Sequence, residues 1–235
     1  MNNKIKAVIA IGGKGTRLNE ITKGFPKPLF PVQGVSTLER CCHQLSSNNI
    51  FDIAVTISYK EDLIINELNI IKSKYNLEFF IFKEEKPLGE CGALWHLKEK
   101  LDDDFLFING DLIFSLDLSR LFKFHNYLDS CLTLVTHPSS HPEDSDLVSV
   151  VNGSLVDKLF YKEKRSFENT SQAFLGNSGI ALIKKTIFND IDPPDNINNS
   201  SIFSHLVSNA FNKKIRVFSY NTSEYIHDMG TPNRL

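Results

Sequence analysis

Apolar residues recur along this chain in two alternating rhythms, and together they predict a repeating order of strand and helix. Short runs with few polar interruptions mark strands at residues 7–11, 53–57, 78–82, 105–108 and 131–136. Segments of helical spacing lie between them. Residues 37–47 have that spacing, with Ser36 as the N-cap. Residues 61–75 direct Leu63, Ile64, Leu68, Ile71 and Tyr75 inward, and residues 92–101 and 118–127 follow the same period. Strands alternating with helices of this length imply βαβ units and a mainly parallel sheet flanked by helices. Right-handed crossovers then gather residues 12–17, 83–89 and 110–111 at one edge, beyond the strand C-termini.

The rhythm changes after residue 136. Residues 147–151, 155–161 and 174–183 read as strands joined by turns such as Asn152-Gly153, expected as a small antiparallel or mixed insertion against the first sheet. Residues 190–200 carry two prolines and read as a loop, followed by a helix at 202–211 and a strand at 215–220. No repeat or long linker divides the chain, so a single domain over residues 1–235 is expected. The fold class is α/β, a Rossmann-like mixed sheet.

Composition narrows the function classes. With 41% apolar residues in 235 and a formal net charge of −2, a sizeable core is expected under a mixed surface. No basic stripe points to nucleic acid. The apolar N-terminal stretch is too short to span a membrane and runs into glycines rather than a cleavage site. Cys41, Cys42, Cys91 and Cys131 lack zinc-ligand spacing and read as reduced thiols of a cytosolic protein.

Residues 9–32 concentrate the candidate chemistry. Gly12, Gly13 and Gly15 follow the first strand, with Thr16, Arg17 and Lys27 close behind. Backbone N–H groups converging at such a loop form an anion-binding concavity, and Arg17 and Lys27 add two positive charges. Neither common phosphate loop fits: Lys14 precedes Gly15 rather than Ser or Thr, and Leu18 stands where a dinucleotide fingerprint needs glycine. Asp111 follows Asn109-Gly110 at the mouth of a buried strand. Beside a triphosphate loop it is the hard oxygen ligand that Mg²⁺ needs, and Gly110 permits close approach of a ligand. His137 and His141 have the spacing of a helical zinc pair, but Pro138 and Pro142 argue against the helix.

The spelling GGxGTRL, then PKPL and Pro-Val, resembles the sugar-phosphate nucleotidyltransferases, or nucleotide-sugar pyrophosphorylases, most like the heptose and mannose 1-phosphate guanylyltransferases. The resemblance implies a nucleotide-binding half at residues 1–136 and a sugar-phosphate-binding half at 137–235. It implies Arg17 and Lys27 as catalytic groups, with Gly12, Gly13, Gly15 and Thr16 on the nucleotide. Residues 83–94 are similar to the segment that holds base and ribose, with Pro87, Gly89 and Gly92 at the turn and Glu84 or Glu85 reading guanine. Asp228, before Met229-Gly230-Thr231-Pro232, stands as the second magnesium carboxylate beside Asp111. Glu163 and Lys164 (or Lys162, two residues away on the same strand face) resemble the pair gripping sugar and phosphate. Asn177 and Gly179 resemble the segment lining the family's sugar pocket, and the resemblance implies Gly110 beside them. His227 reads as a packing group, Cys91 as a small residue at a helix start, and the loop at 137–146 as a neighbour of the sugar site.

The activity implied is Mg²⁺-dependent transfer from GTP to a heptose or mannose 1-phosphate, yielding a nucleotide sugar for surface polysaccharide. The partners are then a nucleoside triphosphate and a sugar 1-phosphate, without nucleic acid or membrane, and with a homodimer left open. Ile11 before the glycines and Asn19-Glu20 in place of a usual proline depart from the family pattern and leave base preference open. A CTP-dependent enzyme acting on phosphocholine or a phosphonate, a non-catalytic sugar-nucleotide sensor and a regulatory subunit are the alternatives. The few residues after Pro232 raise no expectation of a C-terminal β-helix.

Overall fold

The computed structural model describes residues 4–12, 25–139, 142–162, 174–195 and 200–229. The chain opens on β1 (Ile5–Ala10), buried on both faces for most of its length as a central parallel strand must be. A hairpin joins β2 (Pro31–Val32) to β3 (Val35–Ser36) through Gln33 and Gly34, both at positive φ, as a two-residue type I′ turn requires. α1 (Thr37–Ser47) starts where the Ser36 hydroxyl accepts from the Glu39 N–H, so the expected cap is present. β4 (Asp52–Ile57), α2 (Glu61–Tyr75), β5 (Glu78–Lys83), α3 (Ala93–Leu97) and β6 (Leu101–Asn109) complete the βαβ half. Its four sheet strands are mutually parallel, in the order β5-β4-β1-β6.

The remaining elements are β7 (Leu112–Ser115), α4 (Leu118–Tyr127), β8 (Leu132–Pro138), β9 (Leu147–Val151), β10 (Leu155–Phe160), β11 (Leu175–Lys184), α5 (Ser208–Asn212), β12 (Val217–Asn221) and β13 (Tyr225–Asp228). The later strands do not stand apart from the first sheet: they extend it. β11 pairs antiparallel with β6, then β8, β12, β10 and β9 follow, giving one mixed sheet of nine described strands. β7 and β13 form a separate two-stranded ladder.

Three local expectations are corrected. Leu63 is 41% exposed, because Ile64, Leu68 and Ile71, at helical spacing, already make the buried stripe of α2. The helix expected at 92–101 ends early, in a 3₁₀ turn, because Leu101 is buried and pairs with Ile5 as the first residue of β6. The segment at 202–211 begins as a π turn (Ile202–Val207) before becoming α5.

Alternate residues of the central strands feed two cores. Ala7 and Ile9 face α1, α2 and α4, while Val8, Phe105 and Phe107 face α3, α5 and the turn before it. Residues 4–12 therefore hold both layers on one strand, and side-chain alternation leaves no register slip that keeps either core dry.

His125 of α4 is a fully buried polar group in this framework. Thr133 donates to Ser130 at 3.0 Å, so His125 Nδ1, 2.8 Å from the same Thr133 oxygen, acts as the donor. Its Nε2 lies 3.6 Å from an Asp104 carboxylate oxygen. Burial disfavours the imidazolium and holds the pKa below the ordinary 6.5, with Asp104 opposing that shift. The unfolded chain therefore takes up this proton first as pH falls through about 6.5, and the folded state loses stability there. Between about pH 7 and pH 5 the urea midpoint should fall, by no more than about 1.4 kcal/mol per pH unit from this group. His125→Asn should remove that part of the slope; an unchanged slope would assign the pH dependence to other residues.

Candidate active site

The candidate residues gather where β1, β4, β5 and β6 end. Gly110 follows β6 and donates its N–H to the Ala10 carbonyl at 2.9 Å. A Cβ at this position would stand 2.0 Å from Ile11 Cγ2 and 2.9 Å from the Ala10 oxygen, so only glycine permits the approach. The chain then turns into β7, leaving Asp111 at the sheet edge. β13 pairs with β7 in a register that sets Asp228 opposite Leu112, and the Met229 N–H donates to the Asp111 carbonyl at 3.1 Å. Two carboxylates 117 positions apart in the sequence, Asp111 and Asp228, thus line the same cavity.

Lys27 reaches this point from the other side. It opens a 3₁₀ turn, Lys27–Leu29, in which Pro28 and Leu29 are buried. Its ammonium forms an ion pair with Asp111 Oδ2. Among the described residues no group of three His, Cys, Asp or Glu side chains converges as a ready metal cage. Two carboxylates alone are the donor set of a hard divalent cation that takes its other oxygens from phosphate and water.

Glu84 marks the other side of β1. Its N–H continues the β5 ladder onto the Ile57 carbonyl at 2.8 Å, which turns the side chain inward to 7% exposure while Glu85 stays exposed. Of the two glutamates the sequence left open, Glu84 is the inward one. Oε2 accepts from the Leu88 N–H at 3.0 Å, and Oε1 is buried without a hydrogen-bond partner among the described residues. A Cβ on Gly12 would approach Oε1 to 3.1 Å, so the start of the glycine loop lies against this carboxylate. Burial raises its pKa, against the Leu88 N–H and the nearby His96. Pro87 is exposed on the following turn, Gly89 has positive φ, and Gly92 caps α3.

On the far side of Asp111 lies a polar cavity of about 360 Å³. Asn177 and Gly179 enter it from β11, where the β8 pairing is bulged between Asn177 and Ala181. A Cβ on Gly179, at φ +82°, would meet Asn109 Nδ2 at 2.9 Å; the glycine lets Asn109 sit against β11. Lys162 lines the cavity, its N–H donating to Asp146 Oδ1 at 3.0 Å, and the Asp146 carbonyl accepts from the Asn177 N–H at 2.9 Å. The loop at 137–146 therefore does border this cavity, through His137, Ser139 and Asp144 to Asp146. His227 lines it too, stacked on Tyr225 with ring centroids 6.2 Å apart. Cys91 is buried and takes no place on the cavity wall.

Gly13, Gly15, Thr16, Arg17, Glu163 and Lys164 lie outside the described residues. Among those described, the structure brings Gly12 and Glu84 together on one side of β1–β6, and Lys27, Asp111, Asp228, Gly110, Asn177 and Gly179 together on the other. Sequence reasoning missed Glu90, Ser201 and Ser204, which also line the cavity. Ser201 and Ser204 carried no chemical signal, because they form a reciprocal capping box that reads as an ordinary helix start.

A nucleotidyl transferase family model matches residues 6–233. Over 232 residues the chain is 30% identical to a D-glycero-α-D-manno-heptose 1-phosphate guanylyltransferase of Campylobacter jejuni, covering 97% of this chain and 96% of that one. It is 26% identical to a mannose-1-phosphate guanylyltransferase of Mycobacterium tuberculosis, covering 98% of this chain but only 62% of that relative. A crystal structure of HddC from Yersinia pseudotuberculosis superposes with a TM-score of 0.77 at 26% identity, covering 98% of this chain and 96% of that one. No helix among the described residues is long and apolar enough to cross a membrane. The chain belongs to the nucleotidyl transferase family, as a sugar-phosphate nucleotidyltransferase resembling the heptose and mannose 1-phosphate guanylyltransferases.

Proposed function

We propose that the protein is a Mg²⁺-dependent guanylyltransferase acting on a sugar 1-phosphate of heptose or mannose type. The observation that carries this reading is the convergence of Asp111, Asp228 and Lys27 at the rim of a polar cavity on the ligand-binding edge of the sheet. In the reaction a phosphate oxygen of the sugar 1-phosphate attacks the α-phosphorus of GTP. The α–β bridging P–O bond breaks, its electron pair leaves with pyrophosphate, and a sugar nucleotide remains. The attacking oxygen is already ionised, so no general base is required.

The difficulty is electrostatic. Two unit charges ~4 Å apart repel by about 1 kcal/mol in water and about 4 kcal/mol at an effective dielectric near 20, and the two substrates bring several such pairs together. Lys27 supplies one positive charge beside Asp111, and the glycine-loop motif assigns Arg17 a second. Magnesium held by Asp111 and Asp228 would neutralise the phosphate oxygens and polarise the reacting phosphoryl group. Positioning and charge stabilisation then account for the rate.

Glu84 supports guanine. Its Oε1 is a buried acceptor without a partner among the described residues, and guanine presents two adjacent donors, N1–H and N2–H₂, to such a group. The names of the heptose and mannose relatives point the same way.

Three measurements test this. With mannose or heptose 1-phosphate and Mg²⁺, pyrophosphate release should be at least about tenfold faster with GTP than with ATP, CTP, UTP or dTTP. Turnover confined to CTP would overturn the base assignment. Asp111→Asn and Asp228→Asn should each lower kcat by roughly 10²–10³-fold while the fold is retained; near-wild-type rates would remove them from the site. Glu84→Gln should narrow the GTP-over-ATP ratio of kcat/KM by about 10- to 100-fold, and an unchanged ratio would mean that another group reads the base.

A further inference from the structure

Glu90 is a carboxylate of the cavity that the mechanism above does not use. Glu90 stands between the Gly89 turn and α3, and its side chain lines the cavity on the wall that also carries Asp111. The backbone after it is held in place: Cys91 is buried, and its N–H donates to the Ser200 carbonyl at 2.8 Å. One carboxylate oxygen, Oε1, accepts from the Ile202 N–H at 3.0 Å. The second, Oε2, has no hydrogen-bond partner among the described residues. Glu90 is thus anchored by one oxygen and presents an acceptor at a defined place in the cavity.

The electrostatic setting makes this costly. Asp111 and Asp146 repel the Glu90 charge, Lys162 and the Ile202 N–H favour it, and burial pushes the carboxyl up to about 7. A group needed only to cap the turn beginning at Ile202 would do so with a neutral oxygen and without this penalty, as the Ser201 hydroxyl does for Ser204. A sugar hydroxyl is a donor that meets the unused acceptor without adding negative charge.

We propose that Glu90 is a specificity-determining residue whose Oε2 accepts a hydrogen bond from one hydroxyl of the sugar in the acceptor substrate. The proposal rests on the sugar 1-phosphate reading above. A hydrogen bond to an ionised carboxylate is worth about 10- to 100-fold in binding, so the ratios below are read above about pH 7, and an aldose lacking that hydroxyl leaves the acceptor to water.

The test is a cycle between protein and ligand. Binding of D-mannose 1-phosphate and its 2-, 3-, 4- and 6-deoxy analogues is measured by calorimetry, alongside turnover with each of GTP, ATP, CTP, UTP and dTTP, for the wild type and Glu90→Gln. The wild type should bind one analogue about 10- to 100-fold more weakly than the parent because of this contact. In Glu90→Gln that one ratio should fall towards unity while the other three stay as they are. Ratios unchanged at all four positions would overturn the proposal and leave Glu90 as a helix cap. If Glu90→Gln does not fold, Glu90→Asp, which keeps the charge and withdraws it, should change the same single ratio. Position-specific binding without turnover on any triphosphate would sink the transferase reading and leave the Glu90 assignment standing. Turnover with four unchanged ratios would do the reverse, and a wild type that binds no sugar phosphate would overturn both.

Discussion

The hydrogen bond from the Gly110 N–H to the Ala10 carbonyl governs how the two halves of this molecule meet. It carries the parallel ladder of β1 and β6 one step beyond the strands, at a point where any Cβ would collide with Ile11. Because the backbone passes so close, the next residue leaves the sheet at its edge and β7 starts at once. β7 then supplies the partner for β13, and that pairing returns residue 228 from the end of the chain to the side of residue 111. The Thr37 hydroxyl, donating to the Gly110 carbonyl at 3.3 Å and to that of Pro28 at 2.9 Å, ties α1, the Lys27 turn and this corner together. A single backbone approach thus fixes three charged side chains contributed by distant parts of the sequence.

Among the described residues, carboxylates outnumber cations along the cavity beside this corner. The cavity beside the corner is lined by Glu90, Asp111, Asp144, Asp146 and Asp228, against Lys162 and the Lys27 ion pair with Asp111. Burying carboxylates near one another is unfavourable unless something compensates, and a fold selected for stability alone would replace several of them. On the proposed reading the ligands contribute to that compensation, a divalent cation at Asp111 and Asp228 and a sugar hydroxyl at Glu90. The unmatched Glu84 oxygen on the other side of β1 follows the same logic, with the donors of a base.

Much of this was legible in the sequence, for identifiable reasons. The α1 and α2 boundaries and the edge that collects residues 12, 84 and 110 follow from apolar period, cap chemistry and the handedness of βαβ crossovers, all of which are local or general rules. Sheet extension was not legible, because β11 sits between β6 and β8 only by virtue of pairings that no local pattern encodes. β7 and β13 escaped for a related reason: each is four residues long and is stabilised by the other, across more than a hundred positions. Asp228 was reached through a family resemblance, and the ladder supplies the physical reason it belongs beside Asp111. Glu90 was passed over because a glutamate after a glycine turn looks like a solvated helix start. Only the Ile202 N–H, brought from a distant segment, turns its carboxylate into the cavity wall.

The topology also separates two kinds of choice. Gly12 follows β1, a central strand buried on both faces, and Glu84 follows β5, the edge strand of the same parallel ladder. Asn177, Gly179 and Lys162 lie on or beside antiparallel strands with a bulge, anchored largely through Asp146 and its neighbours. A bulge takes up an altered side chain by local shifts of backbone, which a regular parallel ladder cannot do. On the proposed reading the base lies beside a regular parallel ladder and the sugar beside a bulged antiparallel one, which is the more open to new specificities. Glu90 belongs by sequence to the side of the parallel ladder and faces the cavity of the other. On the proposed reading a substitution there alters sugar discrimination without moving the strands beside the nucleotide.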